Sequence, residues 1–429
     1  MKVSKILLLI SLLSFLACST NEDGTTIEAG SSLFTAEVSS DEFVELDANN
    51  VNSLWFLAHD TNGKLLNVTK ATVGENELRS NTSFSGSKIY FTIGYVMNSS
   101  SINFNTFLVN VGGRRSYQET FIPTFPPRTS ELDINITVTE ETFLDSPFPY
   151  NASGFSYGRS TSSITNGIQN LKVSYTNEVE NIIIVNNYNR APFYNGRKEG
   201  YKYYNLNVSN VVSPITLSDI SFNSLETSIK LEIHNNELDG FHFRRWGYES
   251  KSGFDNYRRH DIYEVNSYFD YIDLPIIDLF LFYENVAIYK EGPYDYYFLS
   301  FGNDFNIDNP NWTLTYSPRS DGSYEISSEN DGDFYKLEYN TNGYLWKYFI
   351  DASEPSIVVP RLKLPDVIAA ELEGDFYTEE NVPNFRSLEM WDYVNFNNYD
   401  EFIQFRLGLI AENSRENGGY KYMRFTPFD

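Results

Sequence analysis

From residue 31 onward, apolar and polar residues alternate in short runs, and each run ends on Asn, Asp, Gly, Pro or Ser. This is the pattern of half-buried strands, whose successive side chains face opposite sides of a sheet. Residues 53–71 (SLWFLAHDTNGKLLNVTKA) read as a hairpin with its turn at Asn62-Gly63, where Asn-Gly supplies the positive φ that tight hairpin turns need. KIYFTIGYV (88–96), INFNTFLVNV (102–111) and ELDINITV (131–138) continue the pattern. Strands at this spacing predict an immunoglobulin-like β-sandwich over residues 31–144. The region around Trp55 has no partner cysteines, so nothing ties it to true immunoglobulin domains.

DSPFPYNASGFSYGRSTSS (145–163) reads as a linker, because Pro, Gly and Ser offer little to bury. Beyond it, residues 164–429 predict a larger antiparallel β-rich domain. Residues 311–350 read as a meander with turns at Asp321-Gly322 and Asn342-Gly343. A short helix is expected at 364–372, with Pro365 at a tolerated N-terminal position. The tail 402–425 reads as a last long hairpin. No fixed period supports a propeller or solenoid. Irregular strand lengths also argue against a transmembrane barrel.

Composition sharpens this mostly-β picture. The chain has 33 Phe and 32 Tyr against 4 Met, and aromatic side chains pack well on a pleated, half-buried face. Two readings follow: an aromatic β core with tyrosines at its margins, or aromatic surfaces for sugars or peptides. The spread of tyrosines along the whole chain favours the first. The formal charge of −26 repels phosphate backbones and anionic lipid faces, so nucleic acid is not an expected partner.

The first thirty residues carry an address. Lys2 and Lys5 precede an apolar run from Ile6 to Ala17. That run is too short for a bilayer span of ~20 residues but fits the core of a signal peptide. One reading is an ordinary secretory signal cleaved after Ala17. The sharper one begins at Cys18, the only cysteine of the chain, in FLAC (15–18). This stretch resembles the lipobox of bacterial lipoproteins, although Phe15 stands where an aliphatic residue is usual. The resemblance implies that residues 1–17 are removed and that Cys18 carries a diacylglycerol; two or more acyl chains give stable membrane anchoring. Loss of Lys2 and Lys5 with the leader takes the formal charge from −26 to −28. Ser19 to Asp23 resembles the acidic export signal of Bacteroidota-type surface lipoproteins, and residues 18–30 also read as a flexible tether. The implied location is the outer membrane, exposed at the cell surface, with a periplasm-facing lipoprotein as the alternative.

Catalytic motifs are absent: there is no G-x-S-x-G elbow, H-E-x-x-H, P-loop or dinucleotide fingerprint. No catalytic residue, metal ligand or cofactor is therefore assigned. His59 reads as a solvated strand end. DFNIDNPNW (304–312) alternates Asp304, Asn306 and Asp308, but Asn309 and Thr315 stand where a calcium loop needs Gly and Glu, so a polar turn is the better reading. The stretch singled out is 241–261, the densest positive cluster. Alternation in FHFRRW places His242, Arg244 and Trp246 on one strand face, with Phe241, Phe243 and Arg245 on the other. Arginine beside an aromatic suits a carboxylate or uronic acid. The competing reading pairs these arginines with Glu249, Asp255 and Asp261 as solvated salt bridges. The expected function is a non-catalytic surface module that binds glycan or another envelope or extracellular partner, and the alternative is an extracellular carbohydrate hydrolase.

Overall fold

The computed structural model describes residues 26–97, 101–116, 128–139, 150–154, 161–176, 179–186, 200–232, 239–255, 258–265, 271–303, 305, 307, 310–329, 332–341, 344–353, 356–372, 384–409 and 419–426. Cys18 and residues 19–25 of the tether therefore lie outside the described residues, as do Asp304, Asn306 and Asp308 of the calcium-like loop. Among the described residues, no helix is long and apolar enough to cross a membrane.

The chain is mostly β, and a twelve-stranded sheet organises it. Its spatial order begins His260–Val265, Asp239–Tyr248, Phe282–Glu291, Tyr294–Phe301, Tyr420–Phe425 and Asn384–Tyr393. It continues through Phe334–Thr341, Tyr344–Asp351, Ser101–Asn110, Lys88–Met97, Val51–His59 and Leu65–Lys70. Neighbours run antiparallel except where Tyr344–Asp351 lies parallel to Ser101–Asn110. That parallel seam joins strands from the two ends of the chain. One aromatic-rich core follows it, from Leu33 and Phe34 through Trp346 to Met423.

The hairpin at Asn62-Gly63 forms as expected, with Val51–His59 paired to Leu65–Lys70 and Gly63 at φ +85°. Sheet-on-sheet packing also occurs in this region. Ser32–Val38 pairs with Gly74–Arg79 and Gly113–Arg115, and Phe34 stacks on Phe91 with ring centroids 3.9 Å apart. These strands do not establish an immunoglobulin-like domain over 31–144, because the sheet beneath them continues through Tyr344–Asp351. A more self-contained pair of four-stranded sheets lies later in the chain. Ser130–Thr137, Thr161–Thr165, Ile168–Tyr175 and Ile215–Ser218 form one, and Tyr150–Gly154, Asn181–Asn186, Lys202–Asn207 and Asn223–Ser224 form the other. They enclose a second core containing Ile134, Leu171, Tyr150 and Ile184.

Three local expectations are corrected. The described part of the 145–163 stretch is strand rather than linker: Tyr150–Gly154 pairs with Asn181–Asn186, and Thr161–Thr165 pairs with Ile168–Tyr175. Tyr150 is fully buried, and one large ring outweighs the small polar residues around it. The meander over 311–350 splits, since Tyr324–Ser328 pairs with Ser356–Val359 while Phe334–Thr341 joins the large sheet. The tail holds a helix, Tyr399–Arg406, before the strand Tyr420–Phe425. Asn398 caps it by accepting a hydrogen bond from Glu401 N. Tyr399, Phe402 and Ile403 fall on the buried stripe, at helical spacing. The expected short helix is present as Asp366–Ala369, with Pro365 at its N-cap.

Candidate functional site

Strand Asp239–Tyr248 alternates as its sequence implies. Phe241, Phe243 and Arg245 are buried, while His242 is half-buried and Arg244 exposed. Arg245 points inward, where its guanidinium stacks on the Tyr283 ring at 3.9 Å and Nη1 donates to Asn285 Oδ1 at 2.7 Å. Burial pulls its pKa down to about 10.

The three singled-out residues share a face but not an exposure. Arg244 pairs with Glu264 at 2.7 Å, and His242 Nε2 lies 3.7 Å from the same carboxylate. Trp246 is only 6% exposed, and the Arg259 guanidinium covers its ring at 4.1 Å. Arg259 is held in turn by Glu284 at 3.1 Å, whose other oxygen accepts from the Tyr248 hydroxyl. Trp246 is thus roofed by a salt bridge, and a ligand would have to displace Arg259 to reach the ring face.

The rest of the 241–261 stretch lines a polar cavity of about 350 Å³ with Glu249, Ser252, Arg258 and His260, closed from the other side by Val179–Asn181. His260 Nε2 lies 2.8 Å from Glu249 Oε1, and Asn181 donates to the other oxygen at 2.8 Å. Burial pushes the Glu249 carboxyl up, but the hydrogen bonds from His260 and Asn181 outweigh it and hold the pKa below the ordinary glutamate value. This carboxylate stays ionised at neutral pH.

An aromatic strip lies elsewhere, across the middle of the large sheet. Register places Tyr297 beside Tyr422, and Tyr422 beside Trp391. Tyr420 and Tyr393 stand opposite each other one step along the same face. All five rings are half-buried. Tyr297 and Tyr422 stack with centroids 5.0 Å apart and planes within 5°, and Tyr422 and Trp391 stack at 4.4 Å. The centroid spacing is close to the ~4.8 Å between neighbouring strands, so the rings stand upright as a cross-strand ladder. The ladder runs on to Phe334, where Phe402 of the C-terminal helix covers it at 4.0 Å.

Buried charge fixes this strip in place. Glu389 is fully buried and accepts from Trp391 Nε1 at 2.8 Å, Lys336 Nζ at 2.9 Å and Arg424 Nε at 2.7 Å. The indole therefore has one orientation. Partial burial raises the Tyr297 phenol and pushes Tyr422 up to about 12, so both remain neutral hydroxyls at physiological pH. No cluster of three or more His, Cys, Asp or Glu side chains placed to hold a metal occurs among the described residues.

No protein-family model matches this chain, and no curated protein matches it. Sequence reasoning passed over the strip because its members come from three separate strands, Tyr294–Phe301, Asn384–Tyr393 and Tyr420–Phe425. The available signal was the repeat of rings at i and i+2, Trp391 with Tyr393 and Tyr420 with Tyr422. On a strand, that spacing puts both on one face.

Proposed function

We propose that this chain is a lipid-anchored protein of the outer membrane, held at the cell surface through Cys18, and that it is a non-catalytic binding module for an extracellular glycan. The carrying observation is the upright strip Tyr297, Tyr422 and Trp391, with Tyr420 and Tyr393 beside it. Tyr and Trp combine a large apolar body with a polar tip, and they dominate binding hot spots at low conformational cost. Their phenols and the Arg424 and Lys336 cations offer hydrogen bonds to sugar hydroxyls, while the ring edges add apolar contact area. Because Glu389 already fixes the indole, little side-chain entropy remains to be lost on binding.

At the polar cavity, the state of Glu249 speaks against hydrolysis. Glycoside hydrolysis needs one carboxylic acid held protonated beside a second carboxylate. Glu249, in the polar cavity, is held below its ordinary pKa, the wrong direction for an acid.

A glycan array probed with the purified chain, followed by calorimetry on the best ligand, tests the reading. Replacing Tyr297, Tyr422 and Trp391 together with alanine should weaken binding at least tenfold. Glycan binding unchanged by that triple substitution would remove the strip from the function.

A further inference from the structure

A second cavity, under the first hairpin, carries chemistry that the strip does not use. The hairpin tip is rigid: Asp60 Oδ1 accepts from the N–H groups of Asn62 and Lys64, both at 2.9 Å. Gly63 sits so close to Pro360 that a Cβ there would stand 2.9 Å from the Pro360 Cβ. Between this tip and segment 361–367 lies a cavity of about 670 Å³, within the ~300–1,000 Å³ range of small-molecule sites. Lys64, Arg361 and Lys363 line it, against the single carboxylate of Asp366 among the described lining residues. In a chain of charge −26 this is a local reversal of sign.

Two buried polar groups in the wall have unmet hydrogen-bonding capacity. His59 is 1% exposed, and neither of its ring nitrogens has a partner. Arg361 Nη2 is buried without one as well. Leaving such groups unsatisfied is costly, and each asks for an explanation such as a bound molecule. A neutral imidazole offers one donor and one acceptor, which a hydroxyl satisfies at both ends. The cations ask for a carboxylate. Leu65, Val68 and Pro365 supply an apolar wall for a ring face.

We infer that this cavity is a binding site for an acidic sugar of the hexuronate class, with its carboxylate held by Lys64, Arg361 and Lys363 and a ring hydroxyl bonded to His59. His59 pairs with Tyr90 in the register, which places it on the opposite face of the large sheet from the aromatic strip. The site therefore stands on its own residues, whatever the strip binds.

Calorimetric titration of the purified chain at low salt with glucuronate, glucose and inorganic sulfate tests it. Glucuronate should bind at least tenfold more tightly than either of the others. Lys64 and Lys363 are exposed, so Lys64→Glu with Lys363→Glu should leave the thermal midpoint in place and weaken glucuronate at least tenfold. His59→Gln should weaken glucuronate and leave the weak sulfate binding unchanged. The triple alanine variant of the aromatic strip should bind glucuronate as the parent does. No binding at millimolar glucuronate, sulfate binding as tightly as glucuronate, or loss of glucuronate binding in the strip variant would each overturn the assignment.

Discussion

His59 gives the chain a pH dependence that can be calculated from one side chain. Unfolded, its imidazole titrates at the ordinary 6.5; folded, burial holds its pKa near 3. Lys64, Arg361, Lys363 and Asp366 line the same cavity, but burial is what sets the shift. Between the two values the unfolded chain binds a proton that the folded chain refuses. Stability from this group is therefore full above pH 6.5 and is lost progressively as pH falls towards 3. At pH 5 the loss depends on the unfolded value alone: about 1.5 pH units at ~1.4 kcal/mol each, or about 2 kcal/mol. Urea unfolding at pH 7, 6 and 5, followed by tryptophan fluorescence, measures it. His59→Gln, which cannot titrate, should lose about 2 kcal/mol less than the parent between pH 7 and 5. Parallel pH profiles for the two proteins would refute the reasoning, since another group would then be responsible for the acid sensitivity.

Other outcomes follow from the same structure. Mass spectrometry of the mature N-terminal peptide should find Cys18 carrying a diacylglycerol, and an unmodified N-terminus at or beyond Ser19 would exclude the anchor. Trp246→Ala should destabilise the chain by about 3–5 kcal/mol, as large-to-small changes at buried aromatics do, whereas Arg244→Ala, in a half-exposed pair with Glu264, should cost less than about 1 kcal/mol; thermal unfolding separates them. Gly247→Ala would place a Cβ 2.5 Å from the Phe280 ring and should cost about 1–3 kcal/mol by overpacking, read as a lowered urea midpoint.

The strands themselves were legible because period-two alternation is a local property. Alternation in FHFRRW set Phe241, Phe243 and Arg245 on one face and His242, Arg244 and Trp246 on the other; the first three are buried, and so is Trp246. The Asn62-Gly63 turn was equally plain, because only a few residues supply the backbone geometry it requires. Reading failed where a local signal competed with burial. Tyr150 sits in a stretch of Pro, Gly and Ser, yet its ring fills the second core. Helix Tyr399–Arg406 hides in a segment whose aromatic residues suit either period until the Asn398 cap and the stripe of Tyr399, Phe402 and Ile403 are counted together. His59 looked like a polar strand end beside a turn; the segment 361–367 that shares its cavity lies about three hundred residues away.

By itself, then, the sequence determined the β character, the tight turns and the inward or outward sense of many strand residues. Each of these depends on neighbours a few positions apart. The tertiary structure alone decided which strands meet. The parallel pairing of Ser101–Asn110 with Tyr344–Asp351 joins the two ends of the chain in one sheet, and it rests on the burial of rings such as Phe104 and Trp346 against each other. The same kind of pairing stacks Tyr297, Tyr422 and Trp391 and encloses the cavity around His59. Alternation tells a strand which face to bury, but many strands here present similar aromatic faces. The choice among partners is made by packing across the whole sheet, which no short window of sequence contains.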